Sequence, residues 1–376
     1  MSRSSLETLT PQPVGRLRRL LRRGIDPWLT ALLLAVAAIG LATLYSATGG
    51  SSVMVISQAE RLALGLVVML VLAQVPPEFF RLAAPWLYGV SLLLLVFVLA
   101  LGQHAKGAQR WLDLGIVRFQ PAELMKIGMP LAVAAFLHQR TLPPRPLATL
   151  TALALIAAPT ALIAVQPDLG TALLVLVAGA MALFFGGLRL RWIVGALLAV
   201  AAAAPLLWYK FHDYQRERLL TFLNPQRDPL GAGYHITQSK IAIGSGGVFG
   251  KGWLMGTQAK LDFLPEAHTD FIFSVYSEEM GLIGALVLML LYLAILGRAL
   301  LIATRGQDTF QRLTAASLAL TFFFYAFINM GMVIGLLPVV GVPLPLVSYG
   351  GTSVVSLLAG FGILMSIQTH RKLLTS

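Results

Sequence analysis

Residues 263–296 read FLPEAHTDFIFSVYSEEMGLIGALVLMLLYLAIL. The second half, from Gly281, is an unbroken apolar run. The first half holds Glu266, His268, Thr269, Asp270, Glu278 and Glu279. An apolar run of this length crosses a bilayer as a helix, because about 20 residues at 1.5 Å each match the hydrocarbon thickness. Acids at its mouth would be costly in lipid, so they need an interior or a wet cavity.

Further apolar blocks recur along the chain. They predict about ten spans, near 28–46, 59–76, 82–102, 119–137, 147–166, 169–187, 191–209, 270–296, 312–335 and 350–368. Only 12% of residues are charged and 57% are hydrophobic, where a soluble domain carries roughly 25% charged. The fold class is an all-α polytopic membrane protein. The strict alternation of a transmembrane barrel is absent from the sequence.

Four segments follow: a basic N-terminal segment at 1–27, seven spans over 28–209, a long loop at 210–269, and three spans with a basic tail over 270–376. Arginines in the N-terminal run, at Arg140, Arg145, Arg189, Arg191, Arg298, Arg305 and Arg371, with Lys372, fall on one side of the predicted topology. That side, with both termini, is expected to be cytoplasmic. The long loop is then extracytoplasmic, and its stretch YHITQSKIAIGS (234–245) is expected to form a short surface helix.

The net charge is +12. In a membrane chain this fits orientation signals and anionic lipid, and no nucleic-acid motif accompanies it. There is no cysteine, which excludes thiolate chemistry and disulfides.

The polar residues cluster. Residues 106–126, KGAQRWLDLGIVRFQPAELMK, bring Lys106, Arg110, Trp111, Asp113 and Arg118 to a loop on the outer side. Glu123 and Lys126 follow, three apart on one helix face. They suit either an ion pair tying helices or a cavity wall. In QPDLGT (166–171), Asp168 suits a helix cap or a buried carboxylate. The long loop offers Arg216, Arg218, Lys240 and Lys251. Its glycines lack P-loop spacing and suit a tight turn. Asp270, Ser274 and Glu278 share one helical stripe, and Asp270 also suits an N-cap. The prolines at 338, 343 and 345 predict a rigid, partly buried loop against the cavity.

Outward cations suit a lipid-linked diphosphate, and a lone carboxylate suits deprotonation of a hydroxyl. Glycosyl transfer from a lipid diphosphate needs both. A flippase for the same lipid needs the cations alone, and a non-catalytic scaffold needs neither.

GAQRWLDLGIVRFQPAELMK, QPDLGT, DPLGAGYHITQSKIAIGSGG, GKGW, FLPEAHTDFIF, EEMGLIG and LPLVSYGGTS, in this order, resemble the SEDS family of bacterial cell-wall proteins. The likeness spans nearly the whole chain and is greatest to the member that serves cell elongation and rod shape. It implies ten spans and a peptidoglycan glycosyltransferase that polymerises lipid II, with undecaprenyl pyrophosphate leaving. It implies Asp270 as the catalytic base, and a role for Trp111. It places Glu123, Lys126 and Asp168 on a central polar cavity. Arg110, Arg216, Arg218, Lys240 and Lys251 are the candidate diphosphate contacts, and Ser348 of LPLVSYGGTS joins the expected site. A divalent cation, Mg or Mn, could neutralise the leaving group; no metal-ligand pattern is present in the sequence. The resemblance also implies a class B penicillin-binding protein as partner, docking with help from spans 312–335 and 350–368, and a location in the inner membrane.

Overall fold

The computed structural model describes residues 25–371, apart from 102, 106–107, 114–117, 211–215, 218–219, 223, 225–227, 229–230, 262 and 265. The chain is an all-α polytopic membrane protein. Its helices are α1 (Pro27–Ala47), α2 (Ser52–Ala73), α3 (Pro77–Leu101), α4 (Pro121–His138), α5 (Pro146–Val165), α6 (Leu169–Phe185), α7 (Leu190–Lys210), α8 (Ala232–Ser245), α9 (Thr257–Lys260), α10 (Ile272–Thr304), α11 (Thr309–Val333) and α12 (Thr352–Thr369). Each predicted span has its helix. Among the described residues, seven of these are long and apolar enough to cross a membrane. Helix α4 carries Glu123 and Lys126, and α6 is short, at 17 residues.

Local chemistry sets the helix starts. Proline at the first position of α1, α4 and α5 supplies a preset φ and no surplus N–H. Asp26, Asp168 and Asp308 cap α1, α6 and α11 by accepting from the backbone N–H of Leu29, Thr171 and Gln311.

Helices α11 and α12 form the hub. They belong both to the core built with α1, α2 and α10 and to the core built with α3 to α6. Most of each is buried, whereas α2 and α3 turn most of their surface outward. The α2–α12 contact is close because Gly362 has no side chain. A Cβ there would lie 2.6 Å from the Met69 carbonyl oxygen.

Three features depart from the expected plan. Residues 103–119 hold a small antiparallel sheet, β1 (Gln103–Ala105), β2 (Ala108–Asp113) and β3 (Arg118–Phe119), in the order β1-β2-β3. Helix α8 does not lie free on a surface. It buries Ile236, Ser239 and Ala242, and the Ser239 hydroxyl is 2.7 Å from that of Ser274 on α10. Finally, α10 is broken at Gly281, whose φ of 65° and ψ of −165° are not helical.

That break is closed by the glycine-rich turn. Gly247 and Val248 carbonyls accept from the N–H of Leu282 and Ile283, at 2.9 and 3.1 Å. Lys251 and Gly252 N–H donate to the carbonyls of Glu278 and Glu279, both at 3.0 Å. The groups freed by the break are thus re-paired, which low-dielectric surroundings demand. A Cβ on Gly281 would lie 2.3 Å from the Gly250 nitrogen.

Candidate functional site

A polar cavity of about 480 Å³ opens where β2, α4, α6, the start of α10 and the 340–353 loop meet. Arg110, Trp111, Glu123, Asp168 and Asp270 all line it. Each arrives by a different route. Strand β2 presents Arg110 and Trp111. Glu123 sits in the first turn of α4, and Asp168 stands at the cap of α6. The predicted loop of prolines supplies Val340, Gly341 and Pro343 to the wall.

Asp270 lies one residue before the cap position of α10, which falls on Phe271. Its segment is held from the far side of the cavity. Asn329 on α11 donates to the Asp270 carbonyl at 2.9 Å and to the Val342 carbonyl at 2.7 Å. Ser348 donates to the Thr269 carbonyl at 2.6 Å. The Tyr349 N–H donates to the His268 carbonyl at 2.9 Å. Gly341, whose φ is 72°, lies beside the carboxylate: a Cβ there would stand 3.6 Å from Asp270 Oδ2, an ordinary contact.

The helix stripe does not run along this cavity. Ser274 turns to Ser239, and Glu278 turns to the glycine-rich loop. Ser348 does not line the cavity either. It is buried, and its Oγ also accepts from the Leu344 N–H at 2.7 Å. It holds the Asp270 segment and does not face the open space.

Lys126 lies one turn deeper than Glu123, bonded to it at 2.7 Å and 4.8 Å from the Tyr325 ring centre. It lines an adjoining apolar crevice between α4, α11 and α12, and Tyr325 borders both spaces. Ser356 donates to the other Glu123 oxygen. Glu123 and Lys126 are therefore an ion pair in which Glu123 lines the cavity and Lys126 the crevice beneath it. Asp168 likewise both caps and lines. It accepts from Gln120 at 3.0 Å and faces Arg110 at 3.7 Å.

The long-loop cations do not converge on the cavity. Lys251 is bonded to the buried Glu278 at 2.6 Å. Arg216 donates to the Tyr209 carbonyl at 2.8 Å. Lys240 rests against Gly335. Arg218 and Lys106 lie outside the described residues. Among the described lining residues, Arg110 is the only cation, set against Glu123, Asp168, Glu266 and Asp270. No three His, Asp or Glu side chains among the described residues converge closely enough to hold a metal ion.

Four lining or supporting residues had no strong signal in the sequence. Tyr349 lines the cavity, with the Arg61 guanidinium 4.6 Å from its ring centre. A hydrogen bond with Ser57, then one with Arg61, holds the Tyr349 phenol below its usual pKa against the opposing effect of burial. Gln58 clamps the same loop, donating to the Ser348 carbonyl at 3.1 Å and accepting from the Gly350 N–H at 3.2 Å. Neutral or lone polar residues such as Gln58, Arg61 and Asn329 look ordinary in a helix; only a shortage of partners inside a span would have flagged them.

The profile of the FtsW, RodA and SpoVE cell cycle proteins matches residues 26–373. The chain is 54% identical over 352 residues to the peptidoglycan glycosyltransferase MrdB of Escherichia coli K12, covering 93% of this chain and 95% of that one. It is 39% identical to a probable peptidoglycan glycosyltransferase FtsW of Geobacter metallireducens, over 92% of this chain and 95% of that one. Its backbone superposes on the rod shape determining protein RodA of Thermus thermophilus with a TM-score of 0.71 at 32% identity, over 92% of this chain and 97% of that one. A chain of a peptidoglycan synthase complex that coordinates polymerization and crosslinking superposes with a TM-score of 0.81 at 34% identity, over 93% of this chain and 98% of that one.

Proposed function

The chain belongs to the FtsW, RodA and SpoVE family, and from that premise we propose that it is a peptidoglycan glycosyltransferase that polymerises lipid II during cell elongation. The observation that carries this reading is Asp270. It lines the polar cavity, and its backbone is pinned by Asn329 with Ser348 pinning the neighbouring Thr269. Such a group is preorganised as a base.

In the proposed step, Asp270 takes the proton of the acceptor sugar's 4-hydroxyl. That oxygen attacks the anomeric carbon of the lipid-linked donor. The bond to the diphosphate breaks, and undecaprenyl pyrophosphate leaves with the electron pair. One displacement inverts the anomeric centre, so no covalent enzyme intermediate forms. Arg110 is the best-placed cation for the diphosphate, as a forked donor beside Trp111. Lys126 acts through Glu123, holding that carboxylate in place. The chemistry takes place at the extracytoplasmic face of the cytoplasmic membrane, with both termini cytoplasmic. The partner is a class B penicillin-binding protein that crosslinks the strands, in line with the synthase complex the fold resembles.

A flippase would use the same cavity without bond formation. The two differ in detergent, where there is no bilayer to cross. Purified protein with its partner and lipid II should yield glycan chains in micelles. Lipid II recovered unchanged, with transport in vesicles intact, would sink the polymerase reading.

A further inference from the structure

The glycine-rich turn at 247–255 belongs to the loop expected to be extracytoplasmic, and the helices beside it place it at membrane depth. Asp26, at the start of α1, is bonded to Arg298 of α10 at 2.7 Å. This charged pair marks one level of the bundle. From it, 20 residues of α1 lead to Ser46, about 30 Å away at 1.5 Å per residue. Ser46 donates to Glu279 of α10. Along α10, residues 298 back to 282 span about 24 Å before the break. Helix α1 gives a height equal to the ~30 Å hydrocarbon core, and the break of α10 falls just inside it.

The turn lies at or just below that upper level. Val248 is bonded to Ile283, and Lys251 to Glu278. Trp253 Nε1 donates to the Ala42 carbonyl at 3.1 Å, one turn below Ser46, and its ring meets that of Tyr45. At this height the turn exposes Phe249 (83%), Met255 (62%) and Trp253 (49%). Several of its backbone groups are paired to α10, the condition for non-helical backbone at membrane depth.

We infer that residues 247–255 form an interfacial wedge, with Phe249, Trp253 and Met255 seated in the acyl–headgroup boundary of the leaflet opposite the Asp26–Arg298 pair. The occupant is phospholipid. Large apolar and aromatic side chains match that boundary, where aromatic rings collect. The wedge fixes the Gly281 break of α10 relative to the bilayer. The inference does not depend on the reaction assigned to the cavity.

The natural chain has no cysteine, so single labels are clean. Phe249→Cys and Met255→Cys, each exposed and hence tolerant, would carry a nitroxide in phosphatidylethanolamine–phosphatidylglycerol vesicles holding this chain alone. Leu290→Cys on the exposed face of α10 and Thr141→Cys in the α4–α5 loop give lipid and water references. Labels at 249 and 255 should collide with oxygen somewhat less than at 290, which lies nearer the bilayer centre. Their collision with a water-soluble nickel chelate should fall at least about fivefold below that at 141. Chelate access equal to that at 141 overturns the wedge. So does access that is high for the chain alone and lost only when a partner protein is added, which would make the patch a protein interface.

Discussion

Asn329 has two carbonyls to satisfy, the part-buried one of Asp270 and the buried one of Val342. Asn329→Ala removes both donors, and each orphaned carbonyl costs about 1–3 kcal/mol. The expected outcome is a lower melting temperature and a fall in kcat that exceeds any change in KM, because the base shifts and not the substrate pocket. Unchanged kcat in a stably folded variant would show that Asn329 is structural only. Arg110 supports a second test. Arg110→Ala should weaken turnover by about 10²-fold or more if it meets the developing diphosphate charge; an effect under threefold would remove it from that role. At this scale the sequence was partly legible. Charges inside spans are costly, so Glu123, Lys126 and Asp168 stood out, and two of them line the cavity. Lys240, Lys251 and Arg216 do not line the cavity. Their final direction depends on how a sixty-residue loop folds back, and nothing in their local pattern records that.

Among the elements, α10 carries the clearest dependence on one residue. Gly281 has φ of 65° and touches Gly250. Gly281→Ala meets both a backbone penalty of about 1–3 kcal/mol, because positive φ with extended ψ is almost confined to glycine, and a clash with the turn. It should unfold the 247–252 contact and lower thermal stability in detergent. Gly297→Ala, where a Cβ meets nothing within 4 Å, should be neutral or slightly stabilising on the same helix. Equal melting temperatures for the two would contradict the role given to the break. The apolar blocks revealed the spans because length and hydropathy alone select a bilayer helix. The break stayed hidden, since one glycine in EEMGLIG looks like any helical glycine until its partner turn is known. The sheet at 103–119 was hidden for a similar reason. Its strands β1 and β3 have three and two residues, too brief for alternation to show.

For the whole molecule, the Asp26–Arg298 pair joins α1 to α10 at the end remote from the cavity. Burial raises the Asp26 pKa, but the hydrogen bond from Arg298, with those from Leu29 and Gln368, outweighs it and leaves the group below its ordinary 3.8. A depressed carboxylate stabilises the fold fully above its unfolded pKa. That stability is lost as pH falls through the folded value. Melting temperature in detergent should therefore decline below about pH 4. Arg298→Gln should lower the plateau and flatten that decline, because the carboxylate then loses its main partner. A slope unaltered by Arg298→Gln would assign the acid sensitivity to other groups.

The central claim is that Asp270 is the base of a polymerase. The most direct test is lipid II polymerisation by purified wild type and Asp270→Asn, each with the partner bound, chains resolved by length. The substitution is nearly isosteric, and co-purification of the partner reports the fold. The account predicts a bound partner and a rate lowered by about 10²–10⁴-fold. Chains made at near the wild-type rate by Asp270→Asn would contradict it.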